Sequence, residues 1–94
     1  MHEFKLEPDE YFPIPENLYG ALERYLNLGI MPGSFLTAVL TNDLKEAFGR
    51  ADMDNGANLK NIVGYIYNNI PSSAWGSPEK VTAWLEQFRT KEDV

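Results

Sequence analysis

The chain contains no cysteine, which removes disulfides, thiolate metal sites and thiol nucleophiles together and leaves packing alone to hold the fold. Histidine occurs once, at His2, so imidazole acid–base pairs and Ser-His-Asp triads are excluded. Cations are scarce: 8 Lys and Arg stand against 14 Asp and Glu, a formal charge of −6. Without a Lys/Arg cluster to displace phosphate counterions, direct DNA or RNA binding is disfavoured. No apolar run reaches the ~20 residues that cross a bilayer, and the opening MHEFKLEPDE lacks a cationic segment followed by an apolar one, so cytoplasmic residence is the expectation. Phosphate-cradling glycine loops, dinucleotide fingerprints and the G-x-S-x-G nucleophile elbow are also missing. No cofactor and no metal is expected.

What remains is a 94-residue chain, 44% hydrophobic and 13% aromatic, enough for one packed domain. Its centre is Pro32 to Arg50, where Leu36, Val39, Leu40, Leu44, Ala47 and Phe48 recur at three- and four-residue spacing. On a 3.6-residue period these lie on one side of a cylinder, which predicts a single buried helix of about four turns. Ahead of it, residues 1–13 alternate charged with apolar side chains and read as an extended arm, with HEFKLE as a possible strand lacking a partner, and Tyr11 and Phe12 lying across the helices.

The rest of the domain, residues 14–94, carries three more helical patterns. The first runs from about Pro15 to Leu28, with Leu18, Ala21, Leu22, Tyr25 and Leu26 inward and Gly29 as its stop; Gly20 within it suits close approach of another helix. The third holds Leu59, Ile62, Val63, Ile66 and Ile70, flanked by Tyr65 and Tyr67 and ended by Pro71, with Asp52 or Asp54 as N-cap. The fourth opens on Ser77, Pro78 and Glu79 and presents Val81, Trp84, Leu85 and Phe88; its end, TKEDV, is expected to fray. The fold class is therefore all-α, a small four-helix domain with an extended N-terminal arm.

The run from Asp52 to Asn58 offers oxygen ligands at alternate positions, but an EF-hand loop counted from Asp52 needs glycine at position six and glutamate at twelve, where Ala57 and Val63 stand. A cap and turn explains it better. Ser34 and Ser77 also read as caps. Asn42 and Asp43 interrupt the central helix beside its apolar side, with Arg50 and Asp52 shortly after. Half-buried polar groups need partners, which predicts a structural network of Arg24, Asn42, Asp43, Arg50 and Asp52 built on an Asp43–Arg50 or Arg24–Asp43 pair. The same Asp43, Arg50 and Asp52 set in a cleft is the one arrangement that would serve a small hydrolase. The aromatics exceed what a core of this size buries, and partly exposed Tyr and Trp anchor protein interfaces. Tyr67, Asn68 and Trp75 are the candidate contact surface.

The succession Arg24-Tyr25, Gly29-Ile30, Pro32-Gly33, Phe35-Leu36, Ala38-Val39-Leu40, Asn42-Asp43-Leu44, Gly49-Arg50-Ala51-Asp52, Tyr67-Asn68, Pro71 and Trp75-Gly76-Ser77 resembles a set of short proteins encoded in phage, prophage and other mobile elements. The resemblance covers about three quarters of the chain. It implies a non-enzymatic accessory protein that binds and modulates a host protein, one that its acidity would steer toward a basic partner. Acidic inhibitors of host nucleic-acid machinery, such as anti-CRISPR proteins and DNA mimics, are similar in size and charge. A structural or oligomerising subunit is the remaining alternative, and the chain is expected to be a monomer or a small homo-oligomer.

Overall fold

A computed structural model describes residues 3–89. His2 and the TKEDV end lie outside the described residues. Among those residues the chain is all-helical, with α1 (Asn17–Leu28), α2 (Ser34–Leu40), α3 (Leu44–Arg50), α4 (Met53–Ala57), α5 (Leu59–Asn69) and α6 (Pro78–Arg89), plus a 3-10 turn at Ser72–Ala74. Six α-helices thus stand where four were expected. None of them is long and apolar enough to cross a membrane.

The central helix expected over Pro32 to Arg50 is two helices, and the break has a local cause. Asn42 takes the left-handed conformation at φ 63°. Its N–H donates to the Val39 carbonyl at 3.0 Å, and the Asp43 N–H donates to the Ala38 carbonyl at 2.8 Å. That pair of bonds closes α2 in a Schellman motif, with asparagine in the place glycine usually holds. Asp43 then starts α3 by accepting from the Glu46 N–H at 3.2 Å, the N-cap geometry of a D-x-x-E start. Helix α3 folds back on α2. The turn carries Leu44 and Phe48 out of the core: they are 70% and 73% exposed, whereas Leu36, Val39, Leu40 and Ala47 are buried as expected.

Helices α1 and α5 supply the largest buried groups. Leu22, Tyr25 and Leu26 from α1 meet Ile62, Tyr65 and Ile66 from α5 in one cluster with α2. Gly29, at φ 70°, ends α1; a Cβ there would lie 2.7 Å from the Phe88 ring, so glycine serves both the turn and the close approach of α6. Gly20 has another role than close helix packing, since it lies under the Arg24 guanidinium of its own helix. The Ser77 hydroxyl accepts from the Lys80 N–H at 3.1 Å and starts α6. Ser34 is the first residue of α2 rather than its cap, a position taken by Gly33.

Residues 3–16 form neither helix nor strand, and side chains take the place of a strand partner. The Asn27 carboxamide accepts from the Phe4 N–H at 2.6 Å and donates to the Phe4 carbonyl at 2.8 Å, while Glu23 accepts from the Leu6 N–H at 2.7 Å. The Tyr65 hydroxyl donates to the Glu7 carbonyl at 2.7 Å. Phe12 lies on Gly64, where a Cβ would run into its ring. Tyr11, by contrast, is 78% exposed and does not cover the helices.

Candidate protein-docking face

Because α3 packs on α2, a gap opens between α3 and α5. Its deep end is a cavity of about 140 Å³ floored by Ala38, Val39 and Ala47 and walled by Leu44, Leu59, Val63 and Trp75, with Asn42 and Asp43 at the rim. Small side chains at 38 and 47 are what leave this volume unfilled. From there a shallow trough of about 520 Å³ continues along α5 past Leu59, Val63 and Tyr67, with Phe12 and Leu44 also facing it. Lys60 and Asn68 sit on its edge.

Of the expected contact residues, the structure brings Tyr67 and Trp75 together. Their rings meet edge to face with centroids 6.3 Å apart, a favourable arrangement of ring quadrupoles. Tyr67 is 75% exposed. Trp75 is half-buried and belongs both to the cavity wall and to a second shallow recess with Tyr67, Ser72, Gly76 and Lys80. The Asn68 amide donates to the Gly64 carbonyl one turn back at 2.8 Å. Phe48, one turn beyond Leu44 on α3, extends the apolar surface. Leu44, Phe48 and Tyr67 together expose on the order of 400 Å², the range of patches that mark interaction sites.

The expected polar network does not assemble. Asn42 and Asp43 are exposed rather than half-buried, because each serves a helix end. Arg50 pairs with Glu46 at 2.8 Å, and both are about half exposed, a geometry worth little in water. Asp43 and Arg50 stand at opposite ends of α3, about 10 Å apart along its axis. Asp52 caps α4 by accepting from the Asn55 N–H at 2.7 Å, so it starts a separate short helix and not the third amphipathic one. Arg24 lines a shallow recess on α1 beside Glu3 and Glu23. The Asp43, Arg50 and Asp52 side chains are therefore engaged locally, each within its own helix start or turn.

Among the described residues, the buried side-chain polar atoms elsewhere are satisfied. Tyr25, fully buried, donates to the Ala74 carbonyl at 2.7 Å, and the Trp84 indole donates to the Tyr25 carbonyl at 3.3 Å. Burial pushes the Tyr25 hydroxyl up to about 12. Tyr65 is pushed up to about 12 as well, first by burial and then by the neighbouring Tyr19, Asp9, Glu23 and Glu7.

No family model, curated protein or solved structure matches this chain. The chemistry of the face is thus read from the face itself. Leu44, Phe48 and Val63 were expected in the core, since an apolar residue on a helical period reads as buried. The signal that would have moved Leu44 is the stop and start in Thr41-Asn42-Asp43 with Glu46 three residues on.

Proposed function

We propose that the chain is a non-enzymatic, phage-type accessory protein that binds and modulates a host protein through the face between α3 and α5. The observation that carries this reading is the exposure of Leu44 and Tyr67 on either side of an apolar cleft. A fold that satisfies its other buried groups has no reason of stability to leave them in water. The phage-type part of the reading rests on the resemblance of the sequence pattern, and cytoplasmic action follows from it. Trp75 acts as a fixed backing for Tyr67, which makes the pair a preorganised anchor. Six carboxylates, Glu3, Glu7, Asp9, Glu10, Glu16 and Glu23, belong to the arm and α1, and six more, Asp43, Glu46, Asp52, Asp54, Glu79 and Glu86, lie at or in α3, α4 and α6, so the acidity steers a basic partner at long range while the apolar face makes the contact.

Capture from host lysate tests this with wild type, Tyr67→Ala and Leu44→Lys. A host protein retained by wild type and lost with both variants is the expected result. Equal recovery of every protein by all three overturns the reading. A captured protein whose association slows as salt rises supports the electrostatic steering, and a salt-independent rate removes it.

A further inference from the structure

We infer that the occupant of the α3–α5 cleft is a single amphipathic α-helix of the partner, carrying acidic side chains on the flank that meets Lys60. This rests on the docking reading above and adds the chemistry of the partner.

The shape of the trough is the first reason. Its α5 side is the row Leu59, Val63 and Tyr67, four residues apart, beside a second row whose middle position, Gly64, is covered by the Phe12 ring. That open row runs over about 12 Å of helix and shares the trough with Leu44 and Phe12, a surface on which the ridge of another helix packs. Leu44 faces the trough from α3, so apolar side chains entering from above meet walls on two sides. The 140 Å³ cavity at one end takes one aliphatic side chain, and the next turn of the incoming helix lies over Val63 and Tyr67.

Other ways of binding a peptide lack their chemistry here. Strand addition needs a free sheet edge, and there is no strand among the described residues. Recognition of a phosphorylated segment uses clustered arginine forks, whereas the cation that lines this trough is the lysine Lys60. Charge then sets the flank. Lys60, on the α5 side of the trough, favours a carboxylate on the incoming helix.

The test is selection of an mRNA-displayed library of random peptides of about 15 residues on wild-type protein, with counter-selection on Leu44→Lys. Tyr67→Ala replaces that variant if its circular dichroism shows loss of fold. The expected winners carry apolar residues at i, i+3 or i+4, and i+7, with Asp or Glu on one flank, and gain helical circular dichroism on binding. Lys60→Glu should weaken them about tenfold. Winners with alternating apolar residues or proline-rich sequences that still depend on Leu44 overturn the helix and leave the docking face standing. If no peptide depends on Leu44, the helix is overturned, and the docking reading falls only if lysate capture also ignores Leu44 and Tyr67. A wild-type dimer in sedimentation that Leu44→Lys dissolves overturns it in favour of a second copy of the chain.

Discussion

Tyr65 and Tyr67 stand two positions apart on α5 and face opposite surroundings. Tyr65 is fully buried, its ring edge on to Tyr19 at 5.4 Å and its hydroxyl bonded to the Glu7 carbonyl. Tyr67 is three-quarters exposed beside Trp75. On a helix two residues span 200° of rotation, so one side of α5 closes the core with α1 while the other borders the cleft with α3. The inward tyrosine has every group used within the fold. The outward one offers its ring and hydroxyl to something else, and the cost of losing each should differ accordingly.

The largest contrast is in packing. Ile66→Ala, on the inward side, should lower stability by about 2–5 kcal/mol, because the lost transfer energy is compounded by a cavity in a fully buried site. Val63→Ala, on the outward side, should cost about 0.5 kcal/mol or less in the same urea titration. A cost for Val63 near that for Ile66 would merge the two sides of α5 into one core.

Hydrogen bonding gives the next contrast. Tyr25→Phe leaves the buried Ala74 carbonyl without its donor and should cost about 1–3 kcal/mol. Tyr67→Phe should be neutral in thermal unfolding. Alkaline titration sharpens the point, since Tyr25 and Tyr65 are pushed from 10.0 up to about 12 in the fold. Between those values the unfolded chain has lost protons that the native state keeps. Stability is therefore full below about pH 10 and declines as pH rises toward 12. Tyr65→Phe should flatten that decline, and Tyr67→Phe should leave it unchanged.

A smaller effect concerns the turn that creates the cleft. Asn42→Ala should cost about 1 kcal/mol through left-handed strain, and Asn42→Gly should stay within about 0.5 kcal/mol of wild type. Equal costs would mean that the asparagine side chain, and not its backbone, holds the turn.

That turn is also where the sequence was hardest to read. Helices α1, α5 and α6 were legible because their apolar spacing agrees with local stops and starts: Gly29, Pro71, and Ser77 followed by Pro78. Between α2 and α3 the apolar spacing runs on from Leu36 to Phe48 without a gap, and periodicity cannot register that the chain reverses in between. The reversal is written in three polar residues, Thr41, Asn42 and Asp43, whose stop and start roles depend on backbone conformation and not on hydrophobicity. For the face, Tyr67 and Trp75 were legible because amphipathic aromatics in excess of the core suit an interface. Leu44 and Val63 were not, since nothing in an aliphatic side chain tells a core from a docking surface. Arg24, Arg50 and the aspartates were overread as a network, because charges near an apolar stripe suggest burial that the folded helix ends do not impose.

The most direct measurement is the urea unfolding of Leu44→Lys beside wild type. If the α3–α5 face is surface kept for a partner, the two midpoints and slopes agree within about 0.5 kcal/mol of stability. A loss of about 2 kcal/mol or more, with a changed slope, would make Leu44 part of the core and leave no free face for a partner to occupy.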